Sequence, residues 1–309
     1  MVEAEDGQVG VDAESHSDCV LEAAEQNDRA DASGSFVVEE GQLVVLVDAR
    51  QRKTLARVHS GDSTHTHLGS LRHSDLLGVA YGKTVLSMKG RPYRVFPATV
   101  SDFVHGMPRS AQVIYPKDLA QMLFNLDLFP GVRVLESGVG SGALSISLLR
   151  SGAVVRAVEL RDEFARVALK NVHSITPPEL HGNYEIVRGD AYTDDLGSGF
   201  DRAALDLPEP WRALDGVRAA MVDTGIICCF TTNVSQLMDL HEALPRSGFT
   251  LVTTTETLER EWYINGRIVR PQHRMAGHTG FITTARVAPR RIGSEILAET
   301  EAVPSIESI

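Results

Sequence analysis

The sequence has few cysteines and no long apolar run, and each absence excludes a class of protein. Only three cysteines occur among 309 residues, Cys19, Cys228 and Cys229, which excludes a fold held together by a disulfide framework. Cys228 and Cys229 are adjacent in the apolar run GIICCF. Neighbouring residues of a strand point to opposite faces, so a disulfide between these two would be strained. No run of about 18 apolar residues and no basic-then-apolar signal pattern is present. We therefore expect a cytoplasmic protein with buried thiols and no membrane segment.

The negative charge is concentrated at the two ends of the chain. The formal net charge is -11, but residues 1–35 hold ten acids and one base, and residues 291–309 hold four acids and one base. Residues 36–290 hold 27 acids and 28 bases, so this near-neutral part does not exclude a nucleic-acid partner. We expect residues 1–35 to be a disordered acidic leader and residues 291–309 to be a flexible tail.

Between these ends the pattern changes once, near residue 106. Residues 36–105 contain short β-type runs separated by turns, QLVVLVDA, KTLARVHS, KTVLSMKG and RPYRVFPAT, which indicate a small β-rich domain. A connector, SDFVHGMPRSAQVIYPKD, leads to the helical pattern LAQMLFNLDL. Strand and helix patterns then alternate, beginning with RVLES, GALSISLLRS and VVRAVEL. Residues 106–290 therefore predict an α/β domain with a Rossmann-like, doubly wound, mainly parallel sheet, which binds ligands beyond the carboxyl ends of its strands.

A glycine-rich turn follows the first strand of the α/β pattern and opens a helix. In ESGVGSGALS, Gly138, Gly140 and Gly142 allow a sharp turn and let backbone amides approach a ligand that a side chain would block. The turn has no lysine, which excludes a P-loop. The spacing Glu-x-Gly-x-Gly-x-Gly resembles motif I of S-adenosylmethionine (AdoMet) methyltransferases more than the Gly-x-Gly-x-x-Gly of dinucleotide binders. A purely structural tight turn is the alternative.

Three acids stand at the ends of predicted strands, where a doubly wound sheet places its ligand. Glu159 ends the second strand and can accept hydrogen bonds from both hydroxyls of a ribose. Asp190 closes YEIVRGD and is placed to accept from the exocyclic amine of an adenine. Asp206 ends the apolar run in ALDLPEPW, where Pro208 and Pro210 stop the next helix from starting early. Each acid alone could be a cap or turn residue, but the three together favour a ligand site.

Several motifs in order give the chain a family resemblance. With HGMPRSAQVIYPKD, VLESGVGSGALSISLL, ALDLPEPW and RPQHRMAGHTGFITTAR, residues 36–288 resemble the tRNA (adenine-N1)-methyltransferase family that modifies position 58 in the T-loop, and are closest to its bacterial members. The resemblance implies a class I methyltransferase fold after a small β domain, AdoMet as cofactor, tRNA as substrate, a homotetramer and no metal. The chain departs from the family in a shorter link, RSGAVV, and in Ser137, where the family commonly has alanine. Neither change affects the implied chemistry.

The resemblance also implies roles for individual residues. Asp206 would be the catalytic acid that also faces the methyl donor, and Tyr115 would pack against the target base. The residues implied to bind AdoMet are Gly138, Gly140, Ser141, Gly142, Ala143, Leu144, Glu159, Phe164, Asp190 and Asp206. The candidate phosphate contacts are Arg109, Lys117, Arg260, Arg267, Arg270 and Arg274.

The remaining polar and aromatic residues favour structural roles. His278 is expected to fix the last hairpin, and Trp211 to pack beneath the Asp206 turn. Five histidines have no nearby cysteines or matching carboxylate pattern, so they predict turn and surface positions rather than a zinc site: His59, His65, His67, His73 and His105. Two alternative functions remain open: an AdoMet methyltransferase acting on a protein or small molecule, and a non-catalytic tRNA-binding subunit. Such a subunit should have lost its glycine turn or its strand-end acids, which this sequence keeps.

Overall fold

A small antiparallel sheet and a larger mixed sheet organise the chain. The computed structural model describes residues 36–107 and 112–289, so the leader expected at 1–35, the tail expected at 291–309, Cys19 and Arg109 lie outside the described residues. The strands are β1 Leu43–Asp48, β2 Lys53–Arg57, β3 Ser63–Thr66, β4 Gly69–Arg72, β5 Thr84–Leu86, β6 Pro92–Pro97, β7 Arg133–Ser137, β8 Val154–Glu159, β9 Tyr184–Arg188, β10 Phe200–Leu205, β11 Met221–Thr231, β12 Phe249–Thr255, β13 Trp262–Asn265, β14 Ile268–Pro271 and β15 Phe281–Val287. The α-helices are α1 Val100–Gly106, α2 Pro116–Asn125, α3 Ala143–Arg150, α4 Asp162–Ile175, α5 Leu214–Ala220 and α6 Val234–Arg246, and short 3-10 helices cover His73–Asp75, Pro178–Asn183 and Pro210–Ala213.

The small sheet has four antiparallel strands in the order β2-β1-β6-β5. Its core contains the fully buried side chains of Leu46, Leu76 and Tyr93. A guanidinium nitrogen of Arg57, at the end of β2, donates to the carbonyl of Ser174 in α4 at 2.8 Å. The small β-rich domain therefore has its own apolar core and is hydrogen-bonded to the rest of the chain.

The large sheet has seven strands in the order β12-β15-β11-β10-β7-β8-β9. Strands β9, β8, β7, β10 and β11 are parallel, and β15 runs antiparallel to both β11 and β12. This topology confirms the predicted doubly wound, mainly parallel sheet. The chain winds from β7 outward to β9 and then returns to β10, so the strand order reverses between β7 and β10, where such folds bind their ligands.

Two apolar cores cover the two faces of the large sheet, and the adjacent cysteines divide between them. Cys228 packs in one core and Cys229 in the other, and both are free, buried thiols, as predicted. Burial raises the pKa of Cys228 to about 12 and raises that of Cys229 well above its ordinary value. These thiols are packing residues on a central strand, and their high pKa values argue against chemistry as nucleophiles.

The predicted connector is wrong over residues 101–106, which belong to helix α1, Val100–Gly106. The side chain of Thr99 accepts from the amide of Asp102 at 3.1 Å, and the side chain of Asp102 accepts from the amide of Thr99 at 3.1 Å. This reciprocal cap starts the helix, and Phe103 and Val104 bury its inner face. Seven residues are too few to show a clear helical repeat in the sequence. The hairpins β3-β4 and β13-β14 were not predicted either.

The histidines of the small domain serve the fold. His73 is buried, which corrects the expectation of a surface or turn position. One ring nitrogen accepts from the amide of His59 at 3.0 Å, and the other lies 2.8 Å from the hydroxyl of Thr64. Within residues 36–107 and 112–289, no group of three or more metal-ligating side chains could hold a metal ion. In the same ranges, every helix is too short or too polar to cross a membrane.

Candidate functional site

The turn between β7 and α3 has three glycines with positive φ. Gly138, Gly140 and Gly142 have φ angles of +83°, +55° and +84°, a region that favours glycine. A Cβ atom on Gly138 would lie 1.9 Å from the carbonyl oxygen of Asp206, and one on Gly142 would lie 3.2 Å from the backbone of Ala168. A Cβ atom on Gly140 would have no neighbour within 4 Å. Two of the glycines therefore allow close packing of backbone, and the third borders open space.

The carboxylate of Glu159 accepts hydrogen bonds from two backbone amides of this turn. Its Oε2 accepts from the amides of Val139 at 3.2 Å and Gly140 at 3.3 Å, and its Oε1 accepts from the amide of Arg161 at 3.0 Å. In phosphate-binding folds, such amides face a phosphate. Here the side chain is buried and supplies the negative charge itself. A ligand phosphate beside Glu159 would be repelled, so the turn suits a ligand without one.

Asp206 comes directly after β10 and is fixed to the edge of the sheet by its backbone. Its amide donates to the carbonyl of Ser137 at 2.9 Å, and its own carbonyl lies against Gly138. The side chain is half-buried, and burial raises the pKa of its carboxyl to about 7. A carboxyl group with so perturbed a pKa in a cavity is a candidate for chemistry.

Two adjoining cavities open at this edge of the sheet. One of about 320 Å³ lies towards β11 and α6, and the other of about 280 Å³ lies towards β8 and β9. Gly140 lines the first cavity and Asp190 the second. Residues lining both are Gly138, Glu159, Arg161, Asp206, Leu207 and Pro208. The structure thus brings together Gly138, Gly140, Glu159, Asp190 and Asp206 from the predicted site.

The other residues predicted to bind the cofactor lie behind these two cavities. Ser141, Ala143 and Leu144 are buried at the start of α3. The ring of Phe164 is covered by the guanidinium of Arg161, 3.5 Å from the ring centre. The residues that line neither of the two cavities are Ser141, Gly142, Ala143, Leu144 and Phe164.

A fourth acid, Glu136 on β7, was missed by sequence reasoning. Its side chain is completely buried. Its Oε2 accepts from the hydroxyl of Ser145 at 2.7 Å, and Ser145 in turn accepts from the hydroxyl of Tyr184 at 3.2 Å. Burial, with smaller effects from Asp206 and Glu159, raises the pKa of Glu136 to about 8. Glu136 is the first residue of the Glu-x-Gly-x-Gly-x-Gly motif, and this position was the feature of the sequence that could have identified it.

Tyr115 lines a third cavity, whose lining does not include Asp206. It is the residue before α2, and its cavity of about 320 Å³ is also lined by His105 and Arg274. Among the other arginines predicted to contact phosphates, Arg260 and Arg267 are exposed with Arg274, whereas Arg270 is half-buried and lies over the ring of Tyr263.

Lys117, a predicted phosphate contact, is not a free surface charge, although it lines the cavity of Tyr115. Its ammonium group is nearly buried and donates to Asp118 Oδ1 at 2.6 Å, to the carbonyl of Thr257 at 2.7 Å and to the hydroxyl of Thr279 at 2.5 Å. The Thr279 hydroxyl also donates to the other oxygen of Asp118 at 2.6 Å. The charge of Lys117 is therefore neutralised inside the protein, where it ties α2 to the segment before β15.

Two structural expectations agree with the contacts. Nδ1 of His278 lies 2.6 Å from a carboxylate oxygen of Glu256, and Nε2 lies 2.9 Å from the carbonyl oxygen of Thr232. These hydrogen bonds fix the segment before β15 to the ends of β12 and β11. Trp211 packs against the core cluster that includes β10 and α5. Both side chains support the loops around the cavities.

Replacing Gly138 by alanine should destabilise the protein much more than replacing Gly140. Both variants place alanine in the left-handed region, at a cost of about 1 kcal/mol, but only the Gly138→Ala methyl group collides with the backbone of Asp206. We expect an additional loss of at least about 2 kcal/mol for Gly138→Ala. Urea unfolding of both variants measures the difference, and equal losses would contradict the close approach.

The difference in stability between the Glu136→Gln variant and wild type should shift in favour of the variant as the pH rises from 5 to 8. In the unfolded chain, the Glu136 carboxyl loses its proton near its ordinary pKa, whereas in the folded protein it keeps the proton up to about pH 8. The stability of wild type therefore falls over this interval. The variant has no such titration at this position. Melting temperatures across this pH range test it, and a constant difference between the two proteins would contradict the raised pKa.

Comparisons with known proteins agree with this fold. A family model described as the tRNA methyltransferase complex GCD14 subunit matches residues 96–269, and one described as TrmI-like N-terminal matches residues 37–85. The chain is 32% identical over 247 residues to the tRNA (adenine(58)-N(1))-methyltransferase TrmI of Thermus thermophilus, covering 79% of this chain and 96% of that protein. It is 29% identical over 278 residues to the tRNA (adenine(57)-N(1)/adenine(58)-N(1))-methyltransferase TrmI of Methanocaldococcus jannaschii, covering 81% and 97%.

Solved structures support the same conclusion. A SAM-dependent O-methyltransferase from Thermotoga maritima superposes with a TM-score of 0.78 at 26% identity, covering 84% of this chain and 97% of its own. The tRNA (m1A58) methyltransferase TrmI from Aquifex aeolicus gives 0.73 at 25% identity, covering 82% and 100%. The fold is that of class I AdoMet-dependent methyltransferases. Because the GCD14 model spans more than half of the chain and the Thermus relative aligns over most of it, the chain belongs to the GCD14/TrmI family of tRNA methyltransferases.

Proposed function

We propose that this protein transfers the methyl group of AdoMet to N1 of an adenine in tRNA, at position 58 of the T-loop. The observation that carries the proposal is the cavity at the ends of β7, β8, β9 and β10, which Glu159, Asp190 and Asp206 line together, with the adjoining cavity lined by Glu159 and Asp206. Family membership, with relatives named for methylation of adenine 58, supplies the substrate.

The cavity towards β8 and β9 fits the adenosine part of AdoMet. Each carboxylate oxygen has two lone pairs, and Glu159 uses three of its four on the amides of Val139, Gly140 and Arg161. Its Oε1 can therefore still accept from one ribose hydroxyl. Asp190 accepts from the exocyclic amine of the cofactor's adenine, beside the apolar side chains of Leu160 and Ala191. The segment Ser141, Gly142, Ala143 and Leu144 supplies the backbone behind the cofactor, with Phe164 packed from α4.

The charge of the site suits a cationic ligand. When bound, AdoMet supplies an electrophilic methyl group on a positively charged sulfur. Glu159 and Asp206 place negative charge around that position, and opposite charges attract strongly in a partly buried site. A dinucleotide would instead bring its negative pyrophosphate to the turn that Glu159 occupies. The residues present therefore favour AdoMet over NAD-type cofactors.

Asp206 acts on the target adenine. N1 of adenine is a weak nucleophile and the ring becomes cationic on methylation, so a carboxylate that accepts a hydrogen bond from the N6 amine stabilises the developing charge. Holding N1 in line with the methyl carbon supplies most of the remaining acceleration. N1 carries no proton to remove, and Asp206 therefore serves as an acceptor and an electrostatic partner.

The adenine must leave the folded T-loop to reach this site. Extrusion of a base costs a few kcal/mol, which contacts to the RNA must offset. Tyr115 packs against the extruded base, and exposed Arg260, Arg267 and Arg274 provide positive charge for the phosphates.

The protein assembles as a homotetramer through a surface that includes the hairpin β13-β14. Its side chains Trp262, Ile264, Ile268 and Val269 are between 55% and 68% exposed, and a cluster of exposed apolar groups marks an interaction surface. Ile264→Asp should therefore lower the mass observed by analytical ultracentrifugation from that of four chains. Leu86→Asp is the matched control, since Leu86 is 61% exposed on the small domain. A monomeric wild type, or loss of the tetramer only in the control, would contradict this assignment.

Incubation with tRNA and labelled AdoMet should yield 1-methyladenosine at position 58, identified by mass spectrometry. Asp206→Asn should lower kcat by at least about a hundredfold, because it removes the carboxylate that stabilises the cationic ring. AdoMet affinity should fall much less than kcat, because Glu159 still supplies negative charge and Asp190 is unchanged. The acceptor must be ionised, so the wild-type rate should fall as the pH drops below about 7, whereas the variant should lack this dependence.

A tRNA with uridine at position 58 is the control substrate and should remain unlabelled. Label found in protein or small molecules but not in tRNA would favour a different methyltransferase activity. Label found nowhere would favour a non-catalytic tRNA-binding subunit. Unchanged turnover in Asp206→Asn would exclude the role given to that carboxylate.

A further inference from the structure

The turn that carries Asp206 has few backbone donors of its own. Pro208 and Pro210 have no amide hydrogen, and the turn follows β10 without regular structure until Pro210. The amide of Asp206 donates to the carbonyl of Ser137 at 2.9 Å. The carbonyl of Asp206 lies against Gly138, and the amide of Arg212 donates to the carbonyl of Glu209 at 3.0 Å. The remaining hydrogen bonds of the turn involve side chains.

Two side chains hold the turn from opposite sides. The amide of Glu209 donates to the hydroxyl of Tyr192 at 3.2 Å, on the side of β9. The carbonyl of Pro208 accepts from Nε2 of Gln236 at 2.8 Å, on the side of α6. Gln236 also lines the cavity that contains Asp206, so its bond is made two residues from the carboxylate.

Gln236 uses its two amide atoms for different purposes. Its side-chain Oε1 accepts from the backbone amides of Thr232 at 2.9 Å and Asn233 at 3.2 Å. Its backbone amide donates to the side chain of Asn233 at 2.9 Å. These bonds form the capping box of α6. Its Nε2 is left to reach Pro208. One side chain therefore connects the start of α6 to the turn that carries Asp206.

We propose that Gln236 is a positioning residue for methyl transfer, which fixes the Asp206 turn through the carbonyl of Pro208. The proposal rests on the catalytic role given to Asp206 above. A carboxylate that must meet one amine of the substrate depends on accurate placement, and a displacement of about 1 Å can cost a hundredfold in rate. Without the Nε2 bond, the turn loses its hydrogen bond to α6, while its contacts to Ser137, Gly138 and Tyr192 remain.

The capping box permits a substitution that separates the two functions of Gln236. Gln236→Glu keeps an acceptor for Thr232 and Asn233, and glutamate is a favoured residue at this position of a capping box. It removes the donor to Pro208 and brings a carboxylate oxygen towards a carbonyl oxygen. Asn233→Ala is the matched control, because it removes the cap from α6 and leaves the Nε2 atom of Gln236 in place.

Gln236→Glu should lower kcat by at least about tenfold, through displacement of Asp206. KM for tRNA should stay within about twofold of wild type, since tRNA binding does not use this bond. The Kd for AdoMet should stay within about twofold in Gln236→Met, which adds no charge to the cavity. Hydrogen exchange at the amides of Leu207 and Glu209 should be faster, and the melting temperature should stay close to wild type. Asn233→Ala should melt at a lower temperature and keep the wild-type kcat per folded molecule.

The added charge of Gln236→Glu is tested separately, because Asp206, Glu159 and Arg161 line the same cavity. A purely electrostatic effect would shift the acid side of the pH–rate profile to higher pH and leave the plateau unchanged. Displacement of Asp206 lowers the plateau at every pH. Gln236→Met removes the donor without adding charge and should lower the plateau as well.

Several results would overturn the proposal. An unchanged kcat in Gln236→Glu, a change in the KM for tRNA alone, or a shift of the pH profile without loss of the plateau would each exclude a positioning role. These outcomes leave the proposed function intact, because wild type would still methylate tRNA. A wild-type protein that does not methylate tRNA would overturn the proposed function and this inference together.

Discussion

The hydrogen bonds from the amides of Val139 and Gly140 to the carboxylate of Glu159 set the chemistry of the whole site. A glycine turn at the start of a helix ordinarily offers its amides to a ligand's anion. Here the buried carboxylate of Glu159 accepts from these amides, so the turn keeps its shape and carries negative charge beside the cavities. The same backbone geometry thereby disfavours a phosphate at the turn and suits the cationic cofactor proposed above.

The sheet brings the other site groups to that turn. Strand order reverses between β7 and β10, and Gly138 lets the ends of these strands meet at the carbonyl of Asp206. The carboxyl group of Asp206 therefore lies where both cavities join. Its position depends on backbone contact with the glycine turn on one side and on side chains from neighbouring elements on the other. Under the proposed function, the cofactor and the target base can therefore both contact the carboxyl group of Asp206.

Local patterns in the sequence predicted much of the large sheet and part of the site. RVLES is β7 from its first residue to its last, and the acids that end predicted strands, Glu159, Asp190 and Asp206, do line the cavities. Properties that depend on distant partners could not be predicted. Lys117 looked like a free charge because Thr279, 162 residues away, is not visible to any local pattern. Glu136 has no apolar or polar periodicity that distinguishes it from the strand around it, and its raised pKa follows only from complete burial. Helix α1 was missed because its seven residues depend on one reciprocal cap.

The central claim is that the acid-lined cavities hold AdoMet with Asp206 facing the target base. A crystal structure with S-adenosylhomocysteine, the product left after methyl transfer, tests it most directly. The account predicts a ribose hydroxyl on Oε1 of Glu159, the adenine amine near Asp190, and the sulfur next to the Asp206 carboxylate. A product bound at another place, or an Asp206 side chain turned away from the sulfur into the protein interior, would contradict it.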